Sequence, residues 1–269
     1  MTESDPKPVA HQQILLDDAG DPPDIDAELD ALARRYRRAG GVGLQVLNLI
    51  GDSAEGLLNR LPEDIRSRLD RVTESALSTA MRTAHGSRRL VKDQPDWLNR
   101  AVTTSMGAAG GFGGLPTAMA ELPVTTTVLL RAIQDVALEH GFDPASESVQ
   151  FDCIRVFAAN GPLEEDDGTD LGFFSSRVAV TGATVQALIA RVAPRLATVL
   201  GQKLAAQTVP VLGAVAGAAT NYAYTSYYQE MAHVHFRLRK LAIEGDRPHP
   251  ELLADLQARI ADPRLRKAG

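Results

Sequence analysis

The chain has 269 residues, a net charge of −6 and a pI near 5.5, with 44% hydrophobic, 23% charged and only 5% aromatic residues. That length carries one large domain or two small ones with a sizeable core. The acidic balance argues against nucleic acid as a partner, because a duplex-binding module presents a basic face. The single cysteine, Cys153, excludes an internal disulfide and a cysteine-based zinc site, and it fits a reducing compartment.

Residues 1–24 are polar and rich in Pro and Asp, which predicts a disordered tail. Their opening, MTESDPKPVAHQQ, has neither the basic nor the apolar region of a signal peptide, so a cytoplasmic location is expected. A helical domain is expected over 25–245, followed by a short helix and tail over 246–269. Ile65, Leu69, Val72, Ala76 and Ala80 step by three or four residues and predict a helix with Pro62 in its first turn and Gly86 at its end. Further helices are predicted over Pro123–His140 with Gly141 as cap, over Glu147–Ala159, over Arg177–Leu200 and Gln202–Gln207, over Val209–Leu241, and over His249–Ile260. Gly161–Gly172, GPLEEDDGTDLG, reads as a solvated acidic loop that does not match the calcium-loop pattern. Alternating β-branched runs and fixed-period repeats are missing, so the fold class is all-α, a single multi-helix domain without a sheet.

The stretch Gly107–Leu130, GAAGGFGGLPTAMAELPVTTTVLL, is dense in glycine and carries one charge, Glu121. A phosphate-binding loop needs a lysine, and none occurs between Ala101 and Leu130. The dinucleotide fingerprint fails at Gly111-Phe112-Gly113-Gly114-Leu115-Pro116, where proline stands in the last glycine's place with no strand before it. A helix-packing joint remains: Gly107 and Gly111, Gly110 and Gly114, and Gly213 and Gly217 are each four apart, the spacing that lets backbones approach closely. Gly110, Gly111, Gly113 and Gly114 are too dense for a helix and read as a loop. Pro116 then starts the next helix, and Pro123 kinks it.

A membrane role is the other reading of the uncharged runs. Ala101–Ala120 and Leu204–Gln229 lack charge, yet their glycines, threonines, tyrosines and Pro210 keep either from reading as a spanning helix. Arg88, Arg89, Lys92 and Arg100 flank the first, Arg237, Arg239 and Lys240 the second, and Arg34, Arg35, Arg37 and Arg38 precede Val42–Ile50. Basic flanks of this kind suit an anionic membrane surface, and they also suit a solvated helix face.

Three blocks together resemble the EcsC family: Ala109-Gly-Gly-Phe-Gly-Gly-Leu-Pro116 with Glu121-Leu-Pro-Val-Thr-Thr126, then Leu130-Arg-Ala-Ile-Gln-Asp-Val-Ala137 with Gly141, then Val209-Pro-Val-Leu-Gly-Ala-Val-Ala-Gly217 with Asn221-Tyr222 and Ala232. The resemblance covers roughly Asp26–Leu241. It implies a helical fold and a possible membrane context, since the family is named after a protein encoded beside a bacterial ABC transporter. It implies no settled enzymatic activity and supplies no catalytic residue.

Other constellations have two sides. Glu121 suits an acid–base or ligand role, or a helix-end carboxylate that bonds backbone amides or an arginine. Glu230-Met-Ala-His233 has the spacing of carboxylate-bridged metal bundles but lacks the second copy such a site needs, so no metal is expected. Gly217, Asn221, Tyr224, Tyr228 and Ala232 share one helix face, which lines a cavity or packs with Asn221 bonded to backbone near Pro123. Cys153 reads as core.

The leading expectation is a non-enzymatic helical protein without cofactor, peripheral at the cytoplasmic face of a membrane and accessory to transport or secretion. Its partners would be an anionic membrane surface or a membrane protein. The alternatives are a binder of a lipid or apolar molecule in a cavity lined by Phe112, Glu121, Thr125, Asn221 and Tyr224, and an enzyme using Glu121, Glu230 or His233.

Overall fold

A computed structural model describes residues 23–50, 54–87, 96–157, 159, 161–162, 185–207 and 213–262. Within its helices the side chains of 42–50, 54, 82–87, 96–99, 106–121, 207 and 213–216 are outside that description. The described residues form helices α1 (Ile25–Ile50), α2 (Ala54–Asn59), α3 (Glu63–Arg66), α4 (Leu69–Ser87), α5 (Asp96–Glu139), α6 (Glu147–Phe157), α7 (Val185–Gln207), α8 (Gly213–Glu244) and α9 (His249–Ala261). The all-α class therefore holds.

Helix α8 is the centre. Ala223, Tyr224, Tyr227, Tyr228, Met231, Ala232, Val234, Phe236 and Leu238 are all buried, so the helix is enclosed on several sides. Helix α5 packs along it most extensively, α1 takes a second side, and α6, α7 and α9 also touch it. Tyr228 stacks obliquely on Phe157 of α6 at 5.0 Å between ring centres. The Tyr224 hydroxyl donates to the Val199 carbonyl oxygen of α7 at 2.8 Å, so the ring is buried with its polar end satisfied. Helix α9 turns back onto α1, burying Leu252, Leu253, Leu256 and Ile260. Each such leucine contributes about 1.5–3 kcal/mol by leaving water.

Several local expectations are corrected. The backbone of Gly110–Gly114 is helical and no loop interrupts it; Pro116 lies inside α5, which begins at Asp96. Glycine propensity is a weak guide to such a stretch. Helix α5 is nonetheless not a straight rod. Thr103 is bonded to Asn221, and His140, just past the C-terminus of α5, to His233. Those α5 points are 37 residues apart, about 55 Å along a straight helix, whereas their partners on α8 are 12 apart, about 18 Å. The chain must bend sharply between the two anchors. Glycine and proline are the usual sites of such bends, and the whole glycine-rich stretch with Pro116 and Pro123 lies in that interval.

The stripe from Ile65 to Ala80 is divided between α3 and α4 by a turn at Ser67–Arg68, with Pro62 as N-cap of α3, and Gly86 is still helical. The expected break between Leu200 and Gln202 is absent: α7 is continuous to Gln207, with Pro194 inside it. Gly201 allows α2 and α4 to approach α7, since a Cβ there would come within 2.9 Å of Leu58 and Leu69 methyls. The end of α5 is as predicted, with Gly141 at φ +85°. The tail over 1–22, most of the acidic loop, and Arg88, Arg89 and Lys92 lie outside the described residues.

Candidate functional site

Helices α1 and α8 run antiparallel and are joined by two ionic rungs. Arg237 grips Glu28 through two nitrogens, each 3.0 Å from a carboxylate oxygen, and also reaches Glu244 at 2.9 Å. Arg35 hydrogen-bonds Glu230. Glu28 and Arg35 are seven residues apart on α1, as Glu230 and Arg237 are on α8, and the first of each pair meets the second of the other, so both rungs fall on facing stripes. The bidentate geometry makes the Arg237 rung the stronger one. The Glu28 carboxylate accepts its hydrogen bonds and raises the Arg237 guanidinium further, against the opposing effect of burial.

Between the rungs lies a cleft of about 550 Å³ lined by Glu28, Ala31, Leu32, Arg35, Arg38, Ala39, His140, Ser226, Glu230 and Arg237. That volume suits a small organic ligand. His140 reaches it from the turn after α5. Its Nε2 lies 3.1 Å from His233 Nδ1, with the rings edge-on, so one nitrogen donates and the other accepts. Burial, then His233, Arg237, Lys240 and Arg35, push the His140 imidazole down to about 3, so it stays neutral near pH 7. Both glutamates are already held by arginines. Arg38, one turn beyond Arg35, is exposed and forms no ion pair with a described carboxylate. Among the described residues the cleft thus offers one uncompensated cation, a neutral imidazole, the Ser226 hydroxyl and an apolar wall from Ala31, Leu32 and Ala39. An anionic group with an apolar body matches that set.

A second polar cluster joins α6, α8 and α9. Asp152 is buried, with His235 Nε2 3.3 Å away, and accepts from Arg155 at 3.4 Å and from Arg239, whose guanidinium also lies 4.5 Å over the Phe142 ring. Burial would raise the Asp152 carboxyl, but His235, Arg239 and Arg155 together hold it down at about 2. His249, the first residue of α9, is pushed down to about 4 by burial and then by His235. The cluster ties three helices together, and neither described cleft is lined by it.

Of the residues expected to line a cavity, the side chains of three are described. Thr125, Asn221 and Tyr224 are buried. The Asn221 amide donates to the Thr103 carbonyl oxygen at 2.7 Å, in the first half of α5, not to backbone near Pro123. Neither the α1–α8 cleft nor the groove between α4 and α5 is lined by any of the three. The side chains of Phe112 and Glu121 are outside the described residues. So are the packing contacts of Gly110, Gly111, Gly113, Gly114 and Gly213, while Gly217 is buried in α8 and Pro123 borders the α4–α5 groove. Arg100 is half-buried at the start of α5. Glu230 and His233 share no metal site: Arg35 engages one and His140 the other, and among the described residues no three His, Cys, Asp or Glu side chains gather as a metal site. Cys153 is fully buried in α6.

Sequence reading missed Glu28, His140 and Ser226, and treated Arg35 and Arg38 as a membrane flank. A signal existed: an acid followed seven residues later by a base on each of two helices, an order that pairs acid with base when the helices run antiparallel. His140 gave none, because its partner is 93 residues away.

The described residues define an all-α protein. The model of the EcsC protein family matches residues 88–241, more than half of the chain, and the chain belongs to that family. It is also 25% identical over 187 residues to the Bacillus subtilis (strain 168) "Uncharacterized protein YdbA", a match that covers 68% of this chain and 65% of that protein. No solved structure matches. His140, Ser226, Glu230 and Arg237 fall within the matched segment, whereas Glu28, Arg35 and Arg38 belong to α1 outside it. Among the described residues no helix is long and apolar enough to cross a membrane.

Proposed function

We propose that this EcsC-family protein is a non-enzymatic binding protein that takes up an anionic amphiphile, a fatty-acid-like or lipid molecule with one acidic head, at the cytoplasmic face of a membrane. The observation that carries the reading is the α1–α8 cleft, where Arg38 adds a cation that no described carboxylate offsets and His140 is held neutral. Arg38 would meet the acidic head, with His140 and Ser226 as hydrogen-bond partners, and Leu32 with Ala31 and Ala39 would contact the apolar body. Isothermal titration with decanoate and with dodecyl phosphate tests it. Binding should occur, and Arg38→Ala should weaken it roughly tenfold or more, the worth of one charged hydrogen bond. No heat with either probe, or equal affinity in the variant, overturns the cleft as the site.

A peripheral membrane position is favoured by a separate observation. Arg34 and Arg38 on α1, and Arg68 and Arg71 at the start of α4, are exposed. Flotation with anionic and neutral vesicles at low and high salt tests it: salt-sensitive flotation on anionic vesicles alone supports the reading, and none under any condition ends it.

A further inference from the structure

Helix α4 and the middle of α5 enclose a groove of about 580 Å³, away from the α1–α8 cleft, lined by Arg68, Arg71, Val72, Ser75, Ala76, Thr79 and Pro123. Arg68, just before α4, and the α4 members recur at three- and four-residue steps, so they form a single stripe. The order along the stripe is chemical: two arginines at one end, then the hydroxyls of Ser75 and Thr79, with Val72, Ala76 and Pro123 as the apolar floor. Among the described residues no carboxylate lines the groove. Arg68 and Arg71 form no ion pair with a described residue, although Asp70 and Glu74 lie on the same helix and Glu63 and Asp64 just before it. Arg66, by contrast, is 3.7 Å from Glu63, and Arg155, Arg237, Arg239, Arg247 and Arg259 all face acids. Arg71 also sits in the first turn of α4, where the helix dipole disfavours a cation unless an anion is near. Beside Pro123, Val124 is an exposed apolar side chain, 52% accessible.

We propose that the α4–α5 groove is the membrane-contact site and holds the phosphate head of an anionic phospholipid. Arg68 and Arg71 bind the phosphate oxygens, Ser75 and Thr79 add hydroxyl donors, and Val124 contacts the acyl boundary. The pair of guanidiniums favours a phosphomonoester over a phosphodiester, because the former offers more charge and more acceptor oxygens. The inference rests on the membrane part of the reading above, but it uses a different surface from the α1–α8 cleft.

The experiment uses the full chain, the double variant Arg68→Ala/Arg71→Ala, and a charge-matched control, Arg191→Ala/Arg195→Ala, on α7. Circular dichroism checks that each keeps its helix content. Flotation is measured on phosphatidylcholine vesicles with or without phosphatidic acid, and inorganic phosphate is titrated in parallel. The expected result is flotation on phosphatidic acid that falls about thirtyfold in the groove variant, near fivefold per arginine, while the control matches the unaltered protein. Equal losses in both doubles, or none in either, overturn the groove and leave the membrane reading standing. If the unaltered protein does not float, the membrane reading fails. Phosphate binding that is lost only in the groove variant then assigns the site to free phosphate and overturns the lipid source. No phosphate binding overturns the site itself.

Discussion

Asn221 donates its side-chain amide to the carbonyl oxygen of Thr103 at 2.7 Å, joining residues 118 apart in sequence. Thr225, one turn along α8, places its hydroxyl 2.7 Å from that of Thr103. This buried polar joint fixes the first half of α5 against α8, while the far end of α5 is fixed near His233. The bend in α5 is the geometric consequence. Spin labels at Val102 and Leu138, both exposed, measure it directly. A straight helix sets them about 54 Å apart, whereas the bent chain brings them within roughly 40 Å. A distance above that bound sinks the bent arrangement.

The same joint predicts a stability effect. Asn221→Ala removes a donor from a buried carbonyl and should cost roughly 1–3 kcal/mol in urea unfolding. Asn221→Leu should be no better, because its bulk meets the Thr103 backbone. A change below about 0.5 kcal/mol for Asn221→Ala, the range of an ordinary surface substitution, would show that the bond contributes little.

The α1–α8 register predicts a charge-swap rescue. Arg35→Glu places two acids at one rung beside Glu230 and should destabilise the protein, as should Glu230→Arg beside Arg35 and Arg38. The double swap restores the opposite pairing and should recover most of the loss, with a coupling of about 1 kcal/mol for a half-exposed pair. Additive losses would mean that the two side chains do not meet.

How far the fold was readable follows from these cases. The helical class was legible because three- and four-residue apolar steps recur and alternating strands do not. The stop at Gly141 was legible because glycine alone adopts φ +85° without strain. The path of α5 was not. Local propensity pointed to a loop at Gly110–Gly114, where the backbone is helical, and the bend follows from anchors on α8 that lie about a hundred residues away in sequence. For the same reason the face of Asn221 and Tyr224 was legible as one that packs or lines a cavity, but its partner Thr103, 118 residues away, was not. The cleft depends on α1 meeting α8, and no local pattern states that.

Two glycines with the same backbone predict different substitution costs. Gly141 and Gly161 both have φ +85°, but a Cβ on Gly141 meets nothing within 4 Å, while one on Gly161 comes 2.7 Å from a Val199 methyl. Gly141→Ala should cost about 1 kcal/mol from backbone strain alone. Gly161→Ala should cost more, since Val199 is itself buried on α7. Gly161→Ala/Val199→Ala should recover the excess over strain, although the smaller side chain carries its own cavity cost. Equal unfolding free energies for the two single variants would remove the clash from the account.

Acid should destabilise the fold in two stages, and the sign follows from the three shifted groups. His140 and His249 are held down from 6.5 to about 3 and about 4, so between those values the unfolded chain binds protons that the folded chain refuses. Stability is therefore full above pH 6.5 and falls as pH drops through that interval. Asp152 is held down from 3.8 to about 2, so its contribution is present above pH 3.8 and is lost as pH falls toward 2. That second stage is worth about 2 kcal/mol from the size of the shift. Urea midpoints across pH 7.5 to 3 test the first stage. His249→Gln cannot take up the proton, so it should flatten the slope between pH 6.5 and 4, while Asp152→Asn should lower stability already at pH 7 by stranding Arg239, Arg155 and His235. An unchanged slope in His249→Gln would show that its imidazole is free to protonate in the folded protein.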